Sequence, residues 1–101
     1  MSDVSIHREK GGQFRLQGAL TFQNVGDAVD LGRTLFRDGR AVVVDLQEVT
    51  RADSAGLALL IEWMRQARHG GGYVAFRNVP EQILHIAEAS GLDKLLPTVD
   101  G

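Results

Sequence analysis

The sequence is 101 residues long, which favours one domain over residues 1–101 and is too short for two separate cores. The net charge of −2 gives no electrostatic case for binding nucleic acid or an anionic membrane surface, and the absence of cysteine excludes disulfides and favours a reducing compartment. The first residues lack a signal-peptide pattern, and the longest apolar run, residues 57–61, is far shorter than the roughly 20 residues that span a bilayer.

The chain begins with a hairpin pattern. Val4 and Ile6, and then Phe14 and Leu16, alternate with polar residues on either side of the glycine pair 11–12. This alternation predicts two antiparallel strands that have one buried face and are joined by a glycine turn.

A first helix is predicted next. Either Thr21 or Asn24 can cap its N-terminus, and Gly39 can mark its end. The apolar positions recur at helical spacing, namely Val25, Ala28, Val29, Gly32, Leu35 and Phe36.

The centre of the chain is predicted to be a strand, a turn and a second helix. Residues 41–46 form an apolar run rich in valine, which favours a buried strand, and residues 47–52 are mostly polar and favour a turn. The second helix begins at Ser54 and ends at glycines 70–72. Because residues 73–76 form another strand pattern, the unit predicts a right-handed parallel crossover.

The last part of the chain predicts a third helix followed by a short strand. Pro80 fits the first helical position, and Gly91 fits the end of this helix. The last strand is expected within residues 92–99.

Ser54 is the first candidate for a functional group. As a helix N-cap its hydroxyl would accept a hydrogen bond from a first-turn N–H, which is worth about 1 kcal/mol. Alternatively, the hydroxyl is displayed at a helix N-terminus that tolerates a phosphate or an acidic group of a partner. Asp53 leaves a similar choice open, since it can shape the turn and share the capping, or hold the hydroxyl or a cation of a partner.

The sequence does not favour catalysis or metal binding. A nucleophile elbow needs glycine two residues before the serine, where this chain has Ala52. Asp45, Glu48 and Asp53 follow no spacing rule of a magnesium site, and the scattered histidines form no ligand set. Since no phosphate-binding P-loop is present either, we expect no metal, no cofactor and no enzyme activity.

The second helix has an unusually wide apolar face. Leu59 and Trp63 extend its apolar arc to roughly 200°, which is more than one packed face needs. Either this pair is exposed beside Ser54 as a protein-docking patch, or Trp63 is tucked against the neighbouring helix.

The stretch V-V-V-D-L-x-x-V-x-x-x-D-S-A-G-L-A-L-L, residues 42–60, resembles the signature of STAS domains, the sulfate-transporter and anti-sigma-factor-antagonist modules. Within this family, G-A-L-T-F-x-x-V and D-S-A-G-L-A-L-L-I-E-W are most similar to the small cytoplasmic STAS subunit of the bacterial Mla (toluene-tolerance) phospholipid ABC transporter. The resemblance implies an α/β fold with a mixed sheet of four to five strands, packed helices and no catalysis.

The resemblance also implies a role for Ser54. In anti-sigma-factor antagonists the hydroxyl residue after the aspartate of the motif is phosphorylated by a partner kinase, and in transporter subunits the same position belongs to the surface that binds the ATPase subunit. The chain departs from the antagonist pattern D-S-[ST]-G at Ala55, which removes a second hydroxyl.

The resemblance therefore implies a non-catalytic subunit that binds and supports the transporter ATPase, and through it the membrane permease, in maintaining outer-membrane lipid asymmetry. Such a subunit would be cytoplasmic and peripheral to the inner membrane through its partner. The alternative is an anti-sigma-factor antagonist switched by phosphorylation, and a homodimer stays open. The candidate partner-binding residues are Asp53, Ser54, Ala55, Gly56, Leu59 and Trp63.

Overall fold

A computed structural model describes residues 4–99. The two ends of the predicted domain, residues 1–3 and 100–101, lie outside this range, and so do the first residues of the segment that lacks a signal-peptide pattern. Five strands and three helices occur in this range, and short 3₁₀ turns cover Lys10–Gly12 and Asp93–Leu95. The elements are β1 (Ser5–Arg8), β2 (Gln13–Leu20), α1 (Val25–Leu35), β3 (Ala41–Ala52), α2 (Ser54–His69), β4 (Tyr73–Arg77), α3 (Glu81–Ala89) and β5 (Thr98–Val99).

The strands form one mixed sheet in the order β1-β2-β3-β4-β5, which confirms the predicted α/β fold. β1 and β2 are the predicted hairpin, with Ile6 opposite Leu16, and its turn places Gly11 and Gly12 at φ values of 66° and 75° that favour glycine. The other neighbours are parallel, and each pair is connected through a helix. Because all three crossovers step in the same direction, right-handed connections place α1, α2 and α3 on one face of the sheet.

Side-chain burial agrees with a sheet that has one covered face. Val42, Val44 and Leu46 of β3 are at most 2% exposed, whereas Val43 and Asp45, which alternate with them, are only partly buried. The core therefore lies between the sheet and the helical layer. Its largest fully buried side chains include Trp63, Phe76, Leu16, Leu20 and Leu60.

The prediction of a turn over residues 47–52 is wrong, because β3 continues without interruption to Ala52. The second half of β3 pairs with the long strand β2, for example Glu48 with Gln17 and Ala52 with Leu20. β4 ends opposite Asp45, so this part of β3 extends beyond its other neighbour. Polar residues here reflect a strand exposed to solvent rather than a turn.

The remaining elements differ little from expectation. Pro80 is the N-cap of α3 rather than its first helical residue, and the expected last strand is β5. None of the helices in the described part of the chain is both long and apolar enough to cross a membrane.

α1 and α2 approach each other closely at Gly32. A Cβ atom at this position would lie 2.5 Å from Nε1 of Trp63 and would also press on the side-chain amide of Gln66. Real Cβ atoms do not come this close to other heavy atoms, so the two helices can pack at this separation only with glycine at residue 32.

We therefore expect Gly32→Ala to lower the free energy of unfolding by roughly 1–3 kcal/mol, because the added methyl group overpacks the helix interface. Gly26→Ala is the matched control, since Gly26 lies in the same helix and a Cβ there would meet nothing within 4 Å. This control should be neutral or stabilising by up to about 1 kcal/mol, given the helix propensity of alanine. Urea denaturation of both variants measures the difference, and equal effects would contradict the close approach.

Candidate partner-binding site

The candidate site lies where β3 passes directly into α2. Asp53 has extended backbone angles (φ −126°, ψ −164°), and its carboxylate accepts a hydrogen bond from the backbone N–H of Ala55 at 2.8 Å. Its own N–H donates to the carbonyl oxygen of Leu20 at 3.2 Å, so the end of β3 is tied to the end of β2. Asp53 is therefore the N-cap, and the capping role considered for Ser54 is wrong, because Ser54 is already the first helical residue.

Ser54 is exposed, and its hydroxyl makes no hydrogen bond to any other residue within 4–99. Because the carboxylate of Asp53 caps the helix, the hydroxyl of Ser54 is not needed to begin α2. Ala58 is also exposed and follows Ser54 at a spacing of four residues, so the two lie on the same face of the helix. The exposed start of α2 thus presents two small side chains, which let another protein approach closely.

The next residues of the motif face inward. Ala55 is 5% exposed, and Gly56 is also buried. A Cβ at Gly56 would lie 3.2 Å from Cδ1 of Ile83 and 3.2 Å from the carbonyl oxygen of Leu20. The two residues therefore anchor the start of α2 between the sheet and α3, and their side-chain positions are not available to a partner.

Leu59 and Trp63 do not form an exposed docking pair. They are 1% and 0% exposed, so the alternative in which Trp63 is tucked against the neighbouring helix is the correct one. The indole N–H of Trp63 donates to the carbonyl oxygen of Ala28 at 3.0 Å, and its ring meets Phe36 edge to face at a centroid distance of 5.9 Å. The wide apolar arc of α2 exists because the helix packs on both the sheet and α1.

Phe22, which the sequence pattern did not single out, is 73% exposed in the loop between β2 and α1. Leu20, two residues earlier, is bonded to Asp53, so Phe22 and Ser54 lie at the same edge of the sheet. A large aromatic side chain in a polar loop was the available signal, because exposed aromatic residues are often interface anchors.

The loop that carries Phe22 is well anchored. Thr21 and Asn24 are each 6% exposed, and the side-chain oxygen of Asn24 accepts a hydrogen bond from the backbone N–H of Thr21 at 2.8 Å. The amide group of Asn24 donates to the carbonyl oxygen of Ala19. Asn24 occupies the N-cap position of α1, but its side chain stabilises the loop rather than the helix. Phe22 is therefore held in solvent by a fixed backbone.

The carboxylates of Asp45, Glu48 and Asp53 do not come together as a group of metal ligands. Asp45 accepts hydrogen bonds from the N–H of Gln47 and the amide of Asn78, and Glu48 pairs with Arg15 at 3.1 Å. Within residues 4–99, no group of three or more acidic, histidine or cysteine side chains is arranged to hold a metal ion.

The N-termini of all three helices lie at this edge of the sheet and carry acidic residues. Asp27 is in the first turn of α1, Asp53 caps α2, and Glu81 is in the first turn of α3. These carboxylates stabilise the helix dipoles, and they place three acidic side chains along this edge. Arg51, at the end of β3, is the nearest cation along the chain.

Comparisons with solved structures show a widespread fold. A putative anti-sigma factor antagonist from Thermotoga maritima matches with 16% identity and a TM-score of 0.74, over 97% of this chain and 86% of that chain. The phosphorylated form of the Bacillus cell fate determinant SpoIIAA matches with 17% identity and a TM-score of 0.70, over 97% and 90% of the two chains. The murine anion transporter Slc26a9 matches with 17% identity and a TM-score of 0.63, over 86% of this chain and 15% of that chain.

Sequence comparison identifies the family. No curated protein sequence gives a significant match. The family model described as "Mlab, STAS domain" matches residues 6–97, which is nearly the whole chain. The match includes the Asp53-Ser54 motif, both helices that pack at Gly32 and the complete parallel part of the sheet up to β4. The protein therefore belongs to the STAS domain family.

Proposed function

We propose that this STAS domain is a non-catalytic subunit that binds the ATPase subunit of an ABC transporter for phospholipids. The proposal rests on two exposed residues at the same edge of the sheet. Ser54 has a hydroxyl that makes no hydrogen bond to the described residues, and Phe22 has an aromatic ring on an anchored loop. Membership in a family whose matching model is described as Mlab supports the transporter as the assembly, together with the motif resemblance.

The contact surface would consist of Phe22, Ser54 and Ala58, which we call the Ser54 surface. Phe22 would enter an apolar pocket of the ATPase, while the small residues Ser54 and Ala58 let the backbone of a partner come close. Because Asp27, Asp53 and Glu81 surround this edge, the facing surface of the ATPase is expected to carry lysine or arginine. The domain would thus reach the cytoplasmic face of the inner membrane, and the permease, only through the ATPase.

A second candidate is an anti-sigma-factor antagonist that is switched by phosphorylation of Ser54. The likeness in fold to SpoIIAA, which has been solved in a phosphorylated form, supports this candidate. The exposed hydroxyl of Ser54 lies at a helix N-terminus, whose dipole favours a phosphate, whereas the carboxylates along this edge oppose one. Both candidates use the same residue and differ in the partner.

Pull-down from membranes in mild detergent tests the proposed partner. The wild-type protein should recover an ABC ATPase and its permease, whereas Ser54→Arg should lose both, because arginine adds bulk at the contact. Phe22→Ala should reduce recovery about tenfold or more, as expected for loss of an interface anchor worth about 2 kcal/mol. Ser90→Arg is the matched control, since Ser90 is also exposed but lies at the C-terminal end of α3, away from this edge.

The outcomes separate the candidates once circular dichroism has shown that each variant folds. Recovery of the ATPase with Ser54→Arg at the wild-type level would place the contact elsewhere. Recovery of a soluble kinase-like protein instead of the transporter would favour the switch. In that case, incubation with this kinase and ATP should add one phosphate to the wild-type protein and none to Ser54→Ala, as measured by intact mass.

The division of roles between neighbouring residues gives a stability prediction. Asp53→Ala removes the N-cap and should lower the free energy of unfolding by about 1 kcal/mol. Asp53→Asn should retain most of the stabilisation by the cap, because asparagine also caps helices well. Ser54→Ala should change the free energy of unfolding by less than about 0.5 kcal/mol, since the hydroxyl makes no hydrogen bond to the described residues. Denaturant titration of the three variants provides the measurement, and a larger loss for Ser54→Ala than for Asp53→Ala would contradict the assigned roles.

A further inference from the structure

A groove of about 350 Å³ lies between the C-terminal ends of α1 and α2. It is far from the Ser54 surface, because Ser54 and His69 are at opposite ends of α2 and roughly 22 Å apart at about 1.5 Å per residue. The buried ring of Phe36 forms part of its wall. The polar or small residues that line it are Gly32, Arg33, Arg37, Arg65, Gln66, His69 and Gly70.

The groove is cationic although the whole chain has a net charge of −2. Arg33 pairs with Asp30 at 3.1 Å, and Arg65 pairs with Glu62 at 2.6 Å. These hydrogen bonds from Arg65 hold the pKa of Glu62 below its ordinary value, so Glu62 stays ionised and offsets the charge of Arg65. The other two basic residues of the groove, Arg37 and His69, have no acidic partner within residues 4–99.

Basic residues at helix C-termini also stabilise the helix dipole, but backbone N–H groups already satisfy three carbonyl groups at the end of α2. The N–H groups of Gly70, Gly71 and Gly72 donate to carbonyl oxygens of the last turn of α2 at 2.8–3.0 Å. No arginine or histidine of the groove donates to these carbonyl groups in the described structure. The side chains of Arg37 and His69 therefore remain available for a ligand.

The wall of the groove contains a buried acceptor that lacks a donor. The side-chain amide of Gln66 donates a long hydrogen bond of 3.4 Å to the carbonyl oxygen of Val29. Its oxygen, Oε1, is buried and accepts no hydrogen bond within residues 4–99. A buried acceptor without a donor is unfavourable, and a hydroxyl group of a ligand would satisfy it once the flexible Gln66 side chain turns from Gly32 toward the groove.

We propose that this groove binds a small phosphate ester with a neighbouring hydroxyl group. Arg37 and His69 would bind the phosphate, and the hydroxyl would donate to Oε1 of Gln66. The volume is near the lower end of the range for ligand pockets, about 300–1,000 Å³, so a three-carbon phosphate fits better than a nucleotide. A soluble metabolite and a lipid headgroup share this chemistry. The site does not depend on the proposed function at the Ser54 surface.

Titration of the ¹⁵N-labelled protein with glycerol 3-phosphate at constant ionic strength tests the site. We expect saturable NMR shifts of the backbone amides of Gly32, Gln66 and Gly70. Arg37→Gln should weaken binding at least about tenfold, because it removes a charge-assisted hydrogen bond. Arg68→Gln is the matched control, since Arg68 lies next to His69 but does not line the groove, and it should leave the affinity unchanged.

A second variant tests the hydroxyl contact. Gln66→Leu should weaken binding of glycerol 3-phosphate but not of inorganic phosphate, whereas the wild-type protein should bind glycerol 3-phosphate more tightly than inorganic phosphate or glycerol. Thermal denaturation of this variant, compared with the wild type, shows whether the fold persists. If the variant unfolds, the comparison of the three ligands on the wild type still tests the contact.

Vesicles distinguish the two sources of the ligand. Sedimentation with phosphatidylglycerol vesicles, but not with phosphatidylcholine vesicles, that is lost in Arg37→Gln and kept in Arg68→Gln would identify a lipid headgroup. Binding of soluble glycerol 3-phosphate alone would identify a metabolite.

The proposal is overturned if no shift saturates in the millimolar range, if Arg68→Gln weakens binding as much as Arg37→Gln, or if inorganic phosphate binds as tightly as glycerol 3-phosphate.

Discussion

The structure depends on a change from strand to helix that takes a single residue. Asp53 ends β3 by donating its N–H to Leu20, and its carboxylate starts α2 by accepting from Ala55. With no loop between the two elements, the direction of α2 is set by the sheet. This constraint turns Ala55 and Gly56 toward the core and leaves Ser54 outside, so the position of the exposed hydroxyl follows from the backbone and not from its own contacts.

Local pattern was sufficient to predict most of the fold. The glycine turn of the hairpin, the helix that begins at Ser54 and the strand after glycines 70–72 all follow from spacing and backbone preference. The end of β3 could not be predicted in this way. Residues 47–52 are polar because they extend beyond β4, and only the pairing with β2, which is distant in sequence, keeps them extended.

The site was predicted only in part, for a related reason. The motif identified Asp53 and Ser54, but it could not show which of them caps the helix, since either side chain can do so. The arc that contains Leu59 and Trp63 could not show whether a second helix covers it, because this depends on the approach of α1 at Gly32. Phe22 was missed because its exposure results from the anchoring of its loop by Asn24, a contact between turn residues that spacing does not reveal.

The side chain of Ser54 neither caps α2 nor packs in the core, and this affects how such domains diversify. Stability at the start of α2 depends on Asp53, which caps the helix, and on Ala55 and Gly56, which are buried in the interior. Changes of chemistry at residue 54 are therefore nearly uncoupled from folding, whether they add volume, charge or a covalent group. Selection can thus act on recognition at one position while the scaffold stays constant, and one fold can acquire different partners through single, individually tolerated steps.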